Sequence, residues 1–334
     1  MALFWFLTGT TTNKEYVMSL SFGTDPEFMI VDEKKNLKSA INLLPKKANA
    51  KPYYGSSMYY DNVLAEIAIK PSLTKDEFLK NIKVSLNRLA KIIHPLKFEI
   101  CAADSYPNKE LLHQDARIVG CNPEWNVYSL QCIMPPEDVI VKTNFRTAGG
   151  HIHVGSKNLQ DPISVFSFIR MMDLFLAVPC LFLDKDPTSK ERRRIYGHAG
   201  SHRLTDYGLE YRSLSNFWLC SPEYAGLIYD LTMFVYSFVN LGEHEKFWSV
   251  DETLLDGDDP TMAYDCFGYD SLLLEKAINE CDLNLGKKFM TFISHYLPDD
   301  ILASIESKSN CTKLPDPYAS WGISSFLPKK TRSK

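Results

Sequence analysis

None of the eight cysteines, at 101, 121, 132, 180, 220, 266, 281 and 311, pairs in a C-x-x-C spacing, so neither a thiolate zinc site nor a redox dithiol is signalled. Cys180 and Cys220 sit in apolar runs, where a free thiol behaves as a small hydrophobe. Reduced thiols fit a cytoplasmic protein. Basic charge is not in excess either. With 37 Lys and Arg against 41 Asp and Glu, a net charge of -4 and a pI near 6.1, a general nucleic-acid coat is disfavoured. The N-terminal MALFWFL is a short apolar run without the basic flank of a signal peptide. The longest apolar stretch, Pro162 to Leu183, carries Arg170 and Asp173 near its middle, which makes it a buried helix of a soluble protein rather than a membrane span. Neither G-x-x-x-x-G-K-[ST] nor G-x-G-x-x-G occurs, so a nucleotide must be held by some other architecture. There is no internal repeat and no low-complexity linker, which leaves one main domain.

What is present is ordinary globular material: 334 residues, 45% hydrophobic and 23% charged. A compact strand pattern starts near Met18, so residues 1–17 read as an N-terminal extension. The body runs over 18–310, and 311–334 form a C-terminal tail ending in a disordered LPKKTRSK. LSFGTDPEFMIVD from Leu20 reads as a strand with Asp25 and Glu27 sharing one face. A second strand spans Asp61 to Pro71, with Val63, Ala65, Ile67 and Ile69 on one side and Glu66 on the other. A helix over 74–94 is opened by Thr74 and Asp76 and shows Phe78, Ile82, Leu86 and Leu89 at helical spacing. LKFEICAAD from Leu96 is a strand, 120–129 a loop, and TNFRTAGGHIHVG from Thr143 a further strand. Asp161–Pro162 and Ser221–Pro222 are helix starts, a capping side chain followed by proline at the first helical position. Between those helices lie a polar loop and the strand YGLEYRSLS. Two more helices fall near 270–281 and 285–297. Strands and helices without regular alternation predict an α+β fold on a largely antiparallel sheet, with helices on one face.

The other face carries polar pairs two residues apart: Asp25 with Glu27, His151 with His153, and Glu210 with Arg212. Glu66 adds a fourth strand. In GGHIHVG, His151 and His153 point one way while Ile152 and Val154 point to the core, and Gly149, Gly150 and Gly155 permit close approach to the backbone. Taken singly, each pair is a solvated sheet face. Together, the carboxylates Asp25, Glu27, Glu66 and Glu210 with one neutral imidazole make an oxygen-rich set suited to magnesium or manganese. Adjacent carboxylates repel unless cations lie between them, and magnesium in such sites is completed by phosphates, so the metal set implies a nucleotide. Arg192, Arg193, Arg194, Arg203 and Arg212 around GHAGSHR then have phosphate oxygens to bind, Arg203 and Arg212 flanking the sheet face.

GTDPEFMIVD, DNVLAEIAIKP, FRTAGGHIHVG, RRRIYGHAGSHR and YGLEYRSLSNFW together resemble the phage-type COOH–NH2 ligases, type 2, of the glutamine synthetase and glutamate–cysteine ligase superfamily. The matching blocks run in order from Gly23 to Trp218. The resemblance implies a sheet curled into a half-open funnel with helices on its outer face, and residues 18–310 as the catalytic domain. It implies two or more Mg2+ or Mn2+ ions held by Asp25, Glu27, Glu66, His151 and Glu210, with Asp61, at a different spacing, as the candidate for the family's second acid beside Glu66. Asp25 departs from the glutamate usual in glutamine synthetase. ATP would meet His153, Arg193, Arg194, Arg203 and Arg212, with Glu210, Arg212 and Arg203 as the catalytic group. The implied activity is ATP-dependent joining of a carboxylate to an amine through an acyl phosphate, on small-molecule, peptide or protein substrates, in the host cytoplasm if phage-encoded. Two other readings compete: a metal-dependent hydrolase, which leaves the arginine loop idle, and a non-catalytic phage structural or assembly protein.

Overall fold

The computed structural model describes residues 20–117, 124–133, 143–247 and 270–323. Residues 1–17, Cys121, Cys266 and the terminal LPKKTRSK lie outside them. Thirteen strands are present among the described residues: β1 Ser21–Thr24, β2 Glu27–Val31, β3 Leu37–Lys38, β4 Ser57–Asp61, β5 Leu64–Ser72, β6 Lys97–Glu99, β7 Ala103–Ser105, β8 Glu124–Asn126, β9 Cys132–Ile133, β10 Phe145–Thr147, β11 Ile152–Gly155, β12 Ser201–Thr205 and β13 Gly208–Tyr211. The main sheet runs β3-β2-β5-β1-β11-β13-β12-β8-β9, with β4 on β5 and β6 on β2, while β7 and β10 form a separate pair. Every pairing between these strands is antiparallel, and the path does not close into a barrel among the described residues.

Nine helices accompany the sheet among the described residues: α1 Lys75–Ile93, α2 Pro162–Met172, α3 Val178–Leu183, α4 Ser189–Arg193, α5 Pro222–Asn240, α6 Ser271–Asn279, α7 Leu283–Ile293, α8 Asp299–Ser309 and α9 Pro317–Ser320. They start where capping chemistry directs. Thr74 accepts from the Glu77 N–H, Asp161 from Ser164 and Ser221 from Tyr224, the last two followed by proline. The helices pack on the apolar side of the sheet. Phe22 of β1 meets Phe78 of α1 at 4.6 Å between ring centres and Tyr229 of α5 at 5.0 Å, in a core shared with Ile152, Val154, Leu209 and Tyr211. The apolar stretch Pro162–Leu183 is α2 and α3 joined by a π-helical turn, Asp173–Ala177. It is long and apolar enough to cross a membrane, yet 83% of its most apolar window is buried inside this fold.

Several expected strands are subdivided, and the breaks matter. The strand from Leu20 stops at Asp25–Pro26, because proline has no N–H for the ladder. β1 and β2 both pair with β5, but β1 turns its other edge to β11, while the end of β2 lies between β3 and β6. Asp25 and Glu27 therefore do not share a strand. Leu96–Asp104 splits into β6 and β7, in different sheets, and Thr143–Gly155 splits around Ala148–Gly150 into β10 and β11. The loop at 120–129 contains β8. The polar loop before YGLEYRSLS contains α4 and β12. Residues 312–323 fold back on the body: the Trp321 indole N–H donates to the Leu219 carbonyl at 2.7 Å, and the Tyr318 hydroxyl accepts from the Phe98 N–H at 2.9 Å.

Candidate active site

Across four strands the register lines up one polar row. Gly23 lies opposite His153, His153 opposite Glu210, and Glu210 opposite Arg203. Period-two alternation places His151 and Arg212, two positions on, over the same face. His151 immediately precedes β11, where Gly149 and Gly150 are required. A Cβ at Gly149 would lie 2.3 Å from His151 Nε2, and one at Gly150 would lie 2.5 Å from the Ser215 carbonyl oxygen.

Two sets of potential metal ligands result, each with its donor atoms within 4.8 Å of one another: Asp25, His151 and Glu210, and Glu27, Asp61 and Glu66. In the first set His151 Nδ1 lies 3.1 Å from Asp25 Oδ1 and 3.2 Å from Glu210 Oε1, and His153 Nε2 approaches Asp25 Oδ1 at 3.0 Å. Tyr207 at the β12–β13 turn holds His153 from behind, hydroxyl to Nδ1 at 2.5 Å. In the second set the Gly149 N–H donates to Glu27 Oε2 at 2.6 Å, and the Tyr59 hydroxyl donates to Glu66 Oε1 at 2.6 Å. Lys47 Nζ stands 3.9 Å from Glu66. Asp61 is not on the Glu66 strand. It ends β4, opposite Leu64 across the hairpin, and the hairpin brings it in.

Burial and crowding set the electrostatics. Burial, then the Asp61 charge, pushes the Glu27 carboxyl up to about 8, although Glu27 keeps some solvent contact. Burial with Asp25 and Glu27 nearby raises Glu66 well above the carboxylate range, and burial followed by Asp25 raises Glu210 to about 7. Asp61 is raised, first by burial. Burial would raise Asp25 too, but the two histidines beside it outweigh that and hold it well below the usual range. Burial and then the Arg212 charge drive His151 down to about 3, so the imidazole is neutral and able to ligate. His153 is raised: burial opposes its charge, and Asp25 overcomes it. His151 Nε2 is buried without a hydrogen-bond partner among the described residues. Four carboxylates held in forms that resist ionisation, with a neutral imidazole among them, fit divalent cations of the oxygen-preferring kind.

The arginines divide. Arg203 and Arg212 both donate to Glu210, one guanidinium to each carboxylate oxygen. Arg193 and Arg194, expected at ATP, are not brought to this cluster. Arg193 lies buried on α4, donating to the Gly197 carbonyl at 2.8 Å, while Arg194 is exposed and paired with Glu191 at 2.8 Å. Arg192 is structural as well: its Nε donates to the Ala148 carbonyl and its Nη1 to that of Ser213, tying the break before β11 to the segment after β13. A short helix turns successive side chains about 100° apart, so a triple arginine cannot face one site. Glu124 of β8, buried and joined to Arg212, lies in the 120–129 segment that the sequence reads as a loop. Its only local signal is the alternation Glu124–Trp125–Asn126, three residues long.

No curated protein matches the chain. Among solved structures, a crystallised bifunctional glutathione synthetase from Pasteurella multocida aligns with a TM-score of 0.44 and 11% identity, over 94% of this chain and 50% of its own. The chain thus spans half the length of that enzyme. Over residues 142–251, which carry β10 to β13, the arginine-rich segment and α5, the chain matches the family described as phage phiEco32-like COOH–NH2 ligase type 2.

Proposed function

We propose that this protein is an ATP- and Mg2+-dependent ligase that joins a carboxylate to an amine through an acyl phosphate. The observation that carries this reading is the pairing of two ligand sets with Arg203 and Arg212 on one sheet face, with His151, Glu210 and both arginines inside the segment matched by the ligase family. Asp25, His151 and Glu210 would hold one cation, and Glu27, Asp61 and Glu66 another, along the inner wall of a half-open funnel. When bound, the cations neutralise phosphate charge and orient the nucleotide. His153, steadied by Tyr207, is placed to contact ATP phosphates beside Asp25. Arg203 and Arg212 steady the phosphoryl group as it passes from ATP to the substrate carboxylate oxygen, with ADP as the leaving group. The amine nitrogen then bonds to the acyl carbon, the carbon–oxygen bond to phosphate breaks, and the ammonium proton passes to a carboxylate of the cleft.

A hydrolase would use the histidines and acids but leave Arg203 and Arg212 without a substrate charge to meet. The test is stoichiometry: a screen of carboxylate and amine pairs should yield ADP, phosphate and a product lighter than the two substrates by one water. Stoichiometric AMP and pyrophosphate would exclude the acyl-phosphate route.

A further inference from the structure

Arg212 is buried at 4% exposure and gripped on two edges. Its Nε donates to Glu124 Oε2 at 3.2 Å, its Nη1 donates to Glu210 Oε1, and the ring of Tyr196 covers its face with 5.1 Å from Cζ to the ring centre. Nη2 has no acceptor among the described residues. Glu124, 2% exposed, is itself anchored, since the Ser201 hydroxyl donates to its Oε1 at 3.1 Å. The backbone repeats the tie, with the Arg212 N–H donating to the Ser201 carbonyl at 3.0 Å. Glu210 is meanwhile claimed three times, by Arg203, Arg212 and His151.

We propose that Glu124 is a positioning residue: by taking the Nε edge of Arg212 it restricts that guanidinium to a single bond with Glu210 and keeps Nη2 free for an anionic oxygen of the substrate. This rests on the ligase reading for the identity of that anion, a transferring phosphoryl group. Without Glu124, the guanidinium turns both remaining donors on Glu210, since a buried N–H seeks the nearest carboxylate. Glu210 is then drawn away from His151 and Asp25, and one residue outside the family-matched segment controls two functions of the cleft.

The variant Glu124→Gln keeps the shape and removes the charge. Its Mg2+-dependent ATP turnover is expected to fall roughly 10-fold or more, with MgADP affinity within about 2-fold of the parent. In an Arg212→Lys background the same change should cost less than about 2-fold, because residues acting through one another are not additive. Additive losses overturn the proposal. A second measurement stands apart from the reaction. The Nε–H resonance of Arg212, identified by its loss in Arg212→Lys, should exchange with solvent slowly in the parent and at least ~10-fold faster in Glu124→Gln. Unchanged exchange overturns the positioning role. Faster exchange in a protein that turns over no ATP keeps the role and removes the ligase reading. Should Glu124→Gln not fold, Ser201→Ala frees the far oxygen of Glu124 without touching Arg212, and must also speed that exchange.

Discussion

At the residue scale the sharpest contrast is between Arg212 and Arg194, both arginines in blocks that resemble a ligase. Arg212 lies two positions from Glu210 on one strand, so strand periodicity alone places them on one face, and their contact bears that out. Arg194 directly follows a short helix, where no such rule applies, and it meets solvent. If Arg212 meets a transferring group, Arg212→Lys should leave nucleotide affinity near the parent and cut turnover roughly 10-fold or more, since lysine keeps the charge and loses the planar fork. Equal turnover would reduce Arg212 to scaffolding. Glu27→Ala and His151→Ala should each lower metal-dependent ATP turnover roughly 10- to 100-fold or more, with folding retained by circular dichroism. Normal turnover in both would refute the metal assignment.

At the element scale, function depends on register and on breaks. The β12–β13 hairpin sets Arg203 against Glu210, and β11 sets His153 against the same residue; a one-residue slip would turn each of these side chains to the core. Gly208 guards that register. At a φ of 150° its Cβ would lie 2.2 Å from the Val154 carbonyl oxygen, so no side chain fits where β13 leaves the turn. Gly208→Ala should destabilise the fold by about 1–3 kcal/mol, read by denaturant titration, and lower turnover together with stability. A variant as stable as the parent would mean that the hairpin shifts freely. The long periodic helices α1, α2 and α5 and the alternation in β5 were legible because each pattern persists over nine or more residues. β8, β12 and α4, of three to five residues, are too short for a period to register.

At the scale of the whole molecule, the buried acids make stability depend on pH and on cations together. Glu27 and Glu210 have folded values near 8 and 7, above their ordinary carboxyl range. A raised acid contributes stability below its unfolded value, and that contribution is lost as pH rises toward the folded value. His151, lowered to about 3, acts in the opposite sense, its contribution present above the ordinary histidine range and lost as pH falls below it. Metal-free protein should therefore weaken from these acids between about pH 4.5 and 8. Cation binding displaces those protons, so Mg2+ should raise Tm more at pH 8 than at pH 5.5. A Tm increment that is the same at both pH values would show that the acids do not bind the ion.

The sequence by itself determined the helix starts at Thr74, Asp161 and Ser221, the apolar and polar faces of β5 and β11, and the placement of His151, His153, Glu210 and Arg212 on one surface, because these follow from local capping and short periods. Only the tertiary structure decided which acids group together. The break at Asp25–Pro26 sends Asp25 to the β11 side and Glu27 to the β5 side, the β4–β5 hairpin brings Asp61 to Glu66, and strand order brings Glu124 to Arg212 across 88 residues of chain. Ligand sets form by proximity in space, and distance along a chain carries no information about proximity until strands pair.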